Sequence, residues 1–138
     1  MSSNINIKNR KASFEFQIVS TFTAGISLVG TEIKSIRNNK ASISDAYCIF
    51  VDQELFARNL HIAEYTNAGH TNHEPKRDRK LLLNRQELNK MLTKVKEKGN
   101  AIIPLRLFIN EKGKAKLEIS LAKGKKIYDK RESIKEKE

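Results

Sequence analysis

The first half of the chain alternates apolar and polar side chains in short runs. In "SFEFQIV" the side chains of Phe14, Phe16 and Ile18 fall on one face, which predicts a half-buried strand. A turn at residues 23–25 and continued extended chain in "AGISLVG" are expected next. Two further β-rich runs, "AYCIFV" and "ELFARNLHI", are joined by a polar turn around residues 52–53. The pattern therefore predicts several short antiparallel strands.

Two segments have the period of a helix. In "TEIKSIR" the isoleucines are three positions apart, with Thr31 placed to cap a short helix and Glu32 in its first turn. A longer helix begins after Asn84, which is spaced from Glu87 as in a capping box. A helically spaced apolar stripe follows, formed by Leu88, Met91, Leu92 and Val95. Gly99 is placed to end this helix.

The remaining segments predict a long loop and a hairpin. Residues 66–80, "TNAGHTNHEPKRDRK", are rich in Asn, Gly, Pro and charge, and we expect a loop there. "AIIPLRLFI" and "KAKLEISLA" predict two strands about the turn "NEKG". Pro104 cannot donate to a strand ladder, so it directs the first of these strands towards an edge or a bulge.

Taken in order, these elements predict one small domain that is mainly β with helices. Short antiparallel strands must hide their edges, which favours a small closed antiparallel β-barrel with a short and a longer helix. Residues 1–11 are expected to form a basic N-terminal arm, and residues 12–122 a single domain. Residues 123–138 are expected to form a flexible basic C-terminal tail, because the apolar pattern ends after Leu121.

Charge narrows the choice of partner. The 138 residues contain 27 Lys and Arg against 16 Asp and Glu, a formal net charge of +11. Such a surplus repels itself in a compact chain and is typical of proteins that bind a polyanion. Nucleic acid is the first expectation and an anionic membrane surface the second. No apolar stretch approaches the length of about 18 residues that indicates a membrane span.

The sequence offers little support for catalysis or metal binding. Cys48 lies in an apolar run, which predicts a buried structural thiol in a reducing, cytoplasmic compartment. His70, His73 and Glu74 share a loop, but no second Cys or His cluster completes a metal site. Phosphate-cradling, nucleophile-elbow and HExxH motifs are absent from the sequence. We therefore expect no enzyme, no metal and no cofactor.

Basic side chains occur in four clusters along the chain. They are Lys8, Arg10 and Lys11; Lys34, Arg37 and Lys40; Lys76, Arg77, Arg79 and Lys80; and Lys123, Lys125, Lys126, Lys130 and Arg131. Each neutralised phosphate releases counterions, so distributed clusters suit a large RNA or DNA surface. Glu32 lies within this basic territory, and two interpretations stay open. It could stabilise a helix N-terminus, or it could accept hydrogen bonds from base amino groups.

Five stretches carry a family resemblance: "NRKA", "AGISLVGTEIKSIR", "KASISDAY", "HEPKRDRKLLL" and "LAKGKKIYDKR". Their residues, order and spacing resemble the SsrA-binding protein family, also called small protein B, from Asn9 to about Lys135. The resemblance implies a barrel related to the oligonucleotide-binding (OB) fold. It also implies a bacterial partner of transfer-messenger RNA that is not an enzyme and acts when ribosomes stall on messages without a usable stop codon.

In that family the protein holds the tRNA-like domain of the RNA and delivers it to the ribosomal A site. There it stands in for the missing codon–anticodon interaction. The resemblance further implies indirect partnership with elongation factor Tu and alanyl-tRNA synthetase, and we expect a monomer. The alternative function is that of a small basic structural or assembly protein of the ribosome.

The resemblance also assigns residues. "GTEIKSIR" and "HEPKRDRK" imply an RNA-binding surface of Glu32, Lys34, Arg37, His73, Arg77, Arg79 and Lys80. "GKKIYDKR" implies contact with the decoding region of the small subunit through Lys125, Lys126, Tyr128, Asp129, Lys130 and Arg131. Family members usually continue with a further basic stretch, whereas this sequence reads "ESIKEKE". Despite this departure we expect RNA binding, whereas full rescue activity stays an open question.

Overall fold

Nine strands and three helices form within residues 5–66, 72–97 and 99–124, which our computed structural model describes. The strands are β1 (Asn6–Lys8), β2 (Phe16–Ile26), β3 (Ala41–Ser42), β4 (Tyr47–Val51), β5 (Glu54–Arg58), β6 (His61–Ile62), β7 (Arg79–Leu82), β8 (Asn100–Ile109) and β9 (Ala115–Gly124). The helices are α1 (Ala12–Glu15), α2 (Gly30–Arg37) and α3 (Arg85–Val95). The prediction of a mainly β chain with a short and a longer helix is confirmed.

One large antiparallel sheet dominates the fold. Seven strands follow the order β1-β8-β4-β5-β7-β2-β9, and β3 pairs separately with β6. β8 also pairs with β9, from Asn100 opposite Lys123 to Ile109 opposite Ala115. The succession of hydrogen-bonded neighbours that starts at β8 therefore returns to β8 through β9.

The hydrophobic core lies on the inner face of this sheet. Its fully buried side chains include Leu55, Leu107, Leu117 and Ile119, together with Met91 from α3. The stripe predicted for α3 supplies this contact. The predicted capping box is also confirmed, because Asn84 Oδ1 accepts from the Glu87 amide at 2.8 Å and Glu87 Oε1 accepts from the Asn84 amide at 3.3 Å.

The two predicted hairpins are confirmed as well. Asp52 and Gln53 both have positive φ, as a tight turn between β4 and β5 requires. In the hairpin of β8 and β9, Gly113 has a φ of 80° within the turn. The β8–β9 register shifts between Pro104 and Arg106, so the proline does lie at a bulge.

The expectations for residues 13–25 were wrong in two places. Residues 12–15 form a helical turn, α1, and Phe14 is 78% exposed instead of lying on a buried strand face. β2 also runs through residues 23–25 without the expected turn. The physical reason is pairing with β9, which continues without interruption from Ser20 opposite Leu121 to Gly25 opposite Lys116.

Both ends of the domain also differ from expectation. The stretch expected to be an arm contains β1, which pairs with β8 through Ile7 opposite Leu107, so this stretch belongs to the sheet. β9 extends to Gly124, beyond the expected boundary at residue 122. The expected loop over residues 66–80 ends earlier, because β7 begins at Arg79 and pairs with β5 and β2. The expected tail lies outside the described residues after Gly124.

Two further expectations concern burial and the membrane. Cys48 is buried, as predicted, and burial raises the pKa of its thiol. In the described segments, no helix combines the length and the apolar character needed to cross a bilayer.

Replacing Asn84 with Ala is expected to lower the free energy of unfolding by about 1 kcal/mol, because the first turn of α3 loses a hydrogen-bond acceptor. Urea titration measures this loss. Lys90→Ala, an exposed change in the same helix, is the control and should stay within about 0.5 kcal/mol of the parent. Equal losses in both variants would contradict the capping role.

Candidate nucleic-acid interface

The carboxylate of Glu32 is the centre of the site. Glu32 lies in the first turn of α2 and has no solvent-exposed surface. Its Oε1 accepts from the Val29 amide at 2.9 Å and from Arg77 Nη2 at 2.6 Å. Its Oε2 accepts from Arg77 Nε at 2.9 Å and from Arg79 Nε at 2.6 Å. Both oxygens are thus fully occupied by donors from the protein.

Arg79 is the buried partner in this cluster. It is the first residue of β7, its exposure is 0%, and its side chain points inward. Beyond Glu32, its guanidinium donates to the carbonyl oxygens of Leu60, Glu74 and Pro75. Burial lowers the pKa of Arg79 and Glu32 opposes that shift, but an arginine side chain remains charged at neutral pH. Arg79 therefore ties α2, β7 and the preceding loop together.

Arg77 is the partner that reaches the surface. Its two hydrogen bonds to Glu32 form a bidentate pair, and its side chain is 33% exposed. It also donates to the Ser27 carbonyl at 3.3 Å, which fixes the guanidinium beside the start of α2. Since two cations share one carboxylate, the cluster keeps one net positive charge at this surface.

Opposing effects set the pKa of Glu32. Burial alone raises it, but the hydrogen bonds from Arg77, the Val29 amide and Arg79 outweigh burial, so the pKa lies below its ordinary value of 4.5. Glu32 is consequently a carboxylate at neutral pH. The surrounding donors favour its charged form.

His73 forms a second link to α2. Its Nε2 lies 2.8 Å from the carbonyl oxygen of Ile62, and its Nδ1 lies 2.9 Å from Thr31 Oγ1. A carbonyl oxygen can only accept, so Nε2 donates, and in the neutral ring Nδ1 accepts from the Thr31 hydroxyl. Thr31 therefore does not cap α2 as expected; Val29 occupies the N-cap position. His73 is buried and joins α2 to β6.

The exposed Lys34 and the half-buried Tyr65 form the outer part of the site. The Lys34 ammonium lies 5.4 Å from the centre of the Tyr65 ring, within the range of a cation–π contact. Asn72 holds the Tyr65 backbone, accepting from its amide at 3.0 Å and donating to its carbonyl at 2.9 Å. A concavity of about 230 Å³ lies beside the ring and is lined by Ser35, Asn38, Lys40, Ala63, Glu64, Tyr65 and Thr66.

The remaining expected residues fall in different places. Arg37 is exposed at the end of α2, and its Nη2 donates to the Gly113 carbonyl at 3.4 Å. Lys80 follows Arg79 in β7, so its side chain points to the opposite, outer face, where it pairs with Glu54 at 2.9 Å. The structure therefore groups Glu32, His73, Arg77 and Arg79 with α2, and separates Lys80 from them.

Other expected site residues cannot be placed. Lys125, Lys126, Tyr128, Asp129, Lys130 and Arg131 lie outside the described residues, as does His70. Both ring nitrogens of His73 are engaged in hydrogen bonds within the protein. Among the residues that are described, no group of three metal-ligating side chains occurs.

Reasoning from the sequence missed Thr31, Tyr65 and Asn72 as parts of this site. The isolated Tyr65 beside a polar loop was an available signal, because an aromatic side chain next to basic clusters is typical of RNA-binding surfaces. The hydrogen bonds of Thr31 and Asn72 depend on partners brought together by the fold, and no sequence spacing indicates them.

Glu32→Gln is expected to lower the free energy of unfolding by about 3–5 kcal/mol, because Arg79 would remain buried without its counter-charge. The folded-state pKa of Glu32 is depressed, so this stabilisation is present above pH 4.5 and is lost as the pH falls through the folded-state pKa. The parent should therefore lose stability in that acidic range more steeply than the variant. Denaturant titrations at several pH values measure both effects.

Glu54→Gln is the matched control for this change. Glu54 pairs with Lys80 where both side chains are more than two-fifths exposed, and such pairs contribute about 0–1 kcal/mol. If Glu32→Gln costs no more than Glu54→Gln, the buried cluster does not stabilise the fold as argued.

Comparisons with known proteins identify the family of the chain. The family model described as SmpB protein matches residues 6–138. The SsrA-binding protein of Christiangramia forsetii is 57% identical over 138 residues, which cover 100% of this chain and 88% of that protein. The SsrA-binding protein of Phocaeicola vulgatus is 60% identical over 134 residues, with 97% and 89% covered.

A solved structure agrees with these relatives. The structure described as "tmRNA-SmpB: a journey to the center of the bacterial ribosome" superimposes with a TM-score of 0.74 and 42% sequence identity. The match covers 88% of this chain and 85% of the other. By sequence over nearly its whole length, and by fold, the chain belongs to the SmpB protein family.

Proposed function

We propose that this protein binds transfer-messenger RNA and acts in trans-translation, the rescue of stalled ribosomes. Family membership and the solved tmRNA–SmpB structure support this function. The observation that carries it in this chain is the basic surface around α2. There Lys34, Arg37 and Arg77 are accessible, while the buried Glu32 and Arg79 fix the backbone beneath them.

The accessible residues would make the RNA contacts. Lys34 and Arg37 lie on one side of α2 and can neutralise phosphates, and Arg77 offers the exposed part of a guanidinium held by Glu32. Tyr65, held by Asn72, presents a ring on which an unpaired base of a folded RNA can stack. Phosphate contacts set the orientation, and the aromatic ring adds preference for unpaired regions.

Glu32, Arg79 and His73 would act as positioning residues. Glu32 and Arg79 have no exposed surface, and the oxygens of Glu32 are already occupied by protein donors. We infer that Glu32 serves RNA binding by holding Arg77 and the start of α2. The hydrogen bond from the Val29 amide agrees with the first sequence-based interpretation, a carboxylate that stabilises the N-terminus of α2. The second interpretation, direct acceptance from base amino groups, has no support, because protein donors already occupy both oxygens.

We also propose that the sheet is a small closed barrel related to the OB-fold. The pairings support this, because they run from β8 through β4, β5, β7 and β2 to β9 and back to β8. Such a barrel has protected edges and can present basic surfaces to oligonucleotides.

The C-terminal stretch would act on the ribosome. We propose that Lys125, Lys126, Tyr128, Asp129, Lys130 and Arg131 contact the decoding region of the small subunit and stand in for the codon–anticodon interaction. The motif "GKKIYDKR" supports this assignment. On the same basis we propose that the protein works as a monomer in the bacterial cytoplasm, with elongation factor Tu and alanyl-tRNA synthetase as indirect partners.

Changing both Lys34 and Arg37 to Ala is expected to weaken binding of the tRNA-like RNA and to reduce the salt slope of log affinity by up to about 2. Gel shifts over a range of salt concentrations measure this slope. Lys90→Ala with Lys96→Ala removes the same charge from exposed positions at α3 and serves as the control. An equal reduction of the salt slope in both variants would contradict the assigned surface. It would mean that the RNA binds elsewhere or that only the net charge of the protein matters.

Deleting residues 125–138 is expected to leave most RNA affinity and the melting temperature intact, because β9 ends at Gly124. The same deletion should abolish tag addition in a reconstituted translation system with a message that lacks a stop codon. Changing Lys125, Lys126, Lys130 and Arg131 together to Ala should largely reproduce that loss, since phosphate contacts position the segment. Tagging at the normal rate by the truncated protein would contradict the role assigned to this stretch.

A further inference from the structure

A second basic surface lies on the outer face of the sheet, away from the Glu32 cluster. In β8, Leu107 and Ile109 point into the core, so Arg106 and Phe108 point outward. Antiparallel register places Lys8 opposite Arg106 and Lys116 opposite Phe108. Side chains directly opposite one another have Cβ atoms about 4.5–5.5 Å apart, so these four form one contiguous patch.

Arg106 is held by two neighbours within this patch. Its guanidinium carbon lies 4.0 Å from the centre of the Phe108 ring, and its Nε lies 3.5 Å from Glu118 Oε2. The guanidinium therefore lies in contact with the ring, while the side chain keeps 35% of its surface exposed. A guanidinium fixed in this way is a preorganised platform for stacking.

The turn between β8 and β9 extends the patch with lysines. Asn110 Oδ1 accepts from the Lys112 amide at 3.0 Å and from the Lys114 amide at 2.9 Å, which fixes the turn. An open concavity of about 650 Å³ lies here, lined by Phe108, Ile109, Asn110, Glu111, Lys112, Lys114 and Lys116. Within the described residues, none of these three lysines forms an ion pair.

This turn adjoins the surface proposed above for RNA. Arg37, at the end of α2, donates to the carbonyl of Gly113 in the same turn. Arg37 therefore lies beside the turn that carries Lys112 and Lys114. Lys112, Lys114 and Lys116 belong to none of the four basic clusters apparent in the sequence.

We propose that the β8–β9 turn and the outer face around Arg106 bind an unpaired segment of RNA. The phosphates would contact Lys112, Lys114 and Lys116, and a base would stack on the open face of the Arg106 guanidinium. This inference rests on the proposed function, because it extends the same RNA surface beyond α2. An unpaired strand fits because the patch combines cations with a stacking plane.

The test uses a short labelled oligouridylate as the unpaired RNA and the tRNA-like RNA as the folded one. Arg106→Lys keeps the charge but loses the planar guanidinium, and should weaken oligouridylate binding about tenfold with little change in salt slope. Lys114→Ala with Lys116→Ala should instead reduce that slope by about 1.4. Lys90→Ala with Lys96→Ala is the charge-matched control and should have the smaller effect.

Several outcomes would overturn the inference. One is an Arg106→Lys variant that binds oligouridylate as tightly as the parent. Another is an equal reduction of the salt slope in the Lys114 and Lys116 variant and in the Lys90 and Lys96 variant. A third is polyglutamate competing for the patch as well as oligouridylate does, because an acidic peptide would then be the better description of the partner. Thermal melts of each variant exclude unfolding as the cause of a loss.

Failure of this inference can be told apart from failure of the proposed function. The parent could bind the tRNA-like RNA through Lys34 and Arg37 while Arg106→Lys leaves oligouridylate affinity unchanged. In that case only the inference about the extended surface is wrong. If the parent does not bind the tRNA-like RNA, the proposed function itself is wrong. Crosslinking of thiouridine-substituted RNA to the peptide containing Arg106 and Phe108 would support the extended surface directly.

Discussion

The buried carboxylate of Glu32 is the constraint on which the basic surface depends. It connects the first turn of α2 to Arg77 and Arg79, which lie 45 and 47 residues further along the chain. A charge can be buried at this position because four hydrogen bonds satisfy its two oxygens. Removing it would leave Arg79 charged and unpaired within the core. The same interaction therefore stabilises the fold and fixes the geometry of the residues that reach solvent.

In the proposed function, this arrangement separates residues that would touch RNA from residues that would position them. Lys34, Arg37 and Arg77 are accessible and carry positive charge. Glu32 and Arg79 are buried and hold Arg77 and the start of α2 in position. Glu32 can therefore have a role within the basic motif "GTEIKSIR" without its carboxylate contacting RNA. Loss of RNA binding after mutation of an enclosed residue would reflect disordered positioning. Accessible residues should instead affect affinity and salt dependence while leaving the fold intact.

Local signals in the sequence predicted those parts of the fold that local interactions determine. The capping box of α3, the tight turn at Asp52 and the bulge at Pro104 each depend on residues close together in the chain. The failures involve distant partners. β1 belongs to the sheet only because β8 lies beside it, about a hundred residues later.

The candidate site divides in the same way. The family motifs identified Glu32, Arg77 and Arg79 as site residues. They did not indicate that Glu32 and Arg79 are buried, because each is buried against the other by contacts between distant parts of the chain. The most direct test of the positioning account is NMR of the arginine Nε–H groups, with and without the tRNA-like RNA. The account predicts that the Arg37 signal shifts on binding while the Arg79 signal stays in place. A shift of Arg79 as large as that of Arg37 would mean that RNA reaches the enclosed cluster, and would contradict the account.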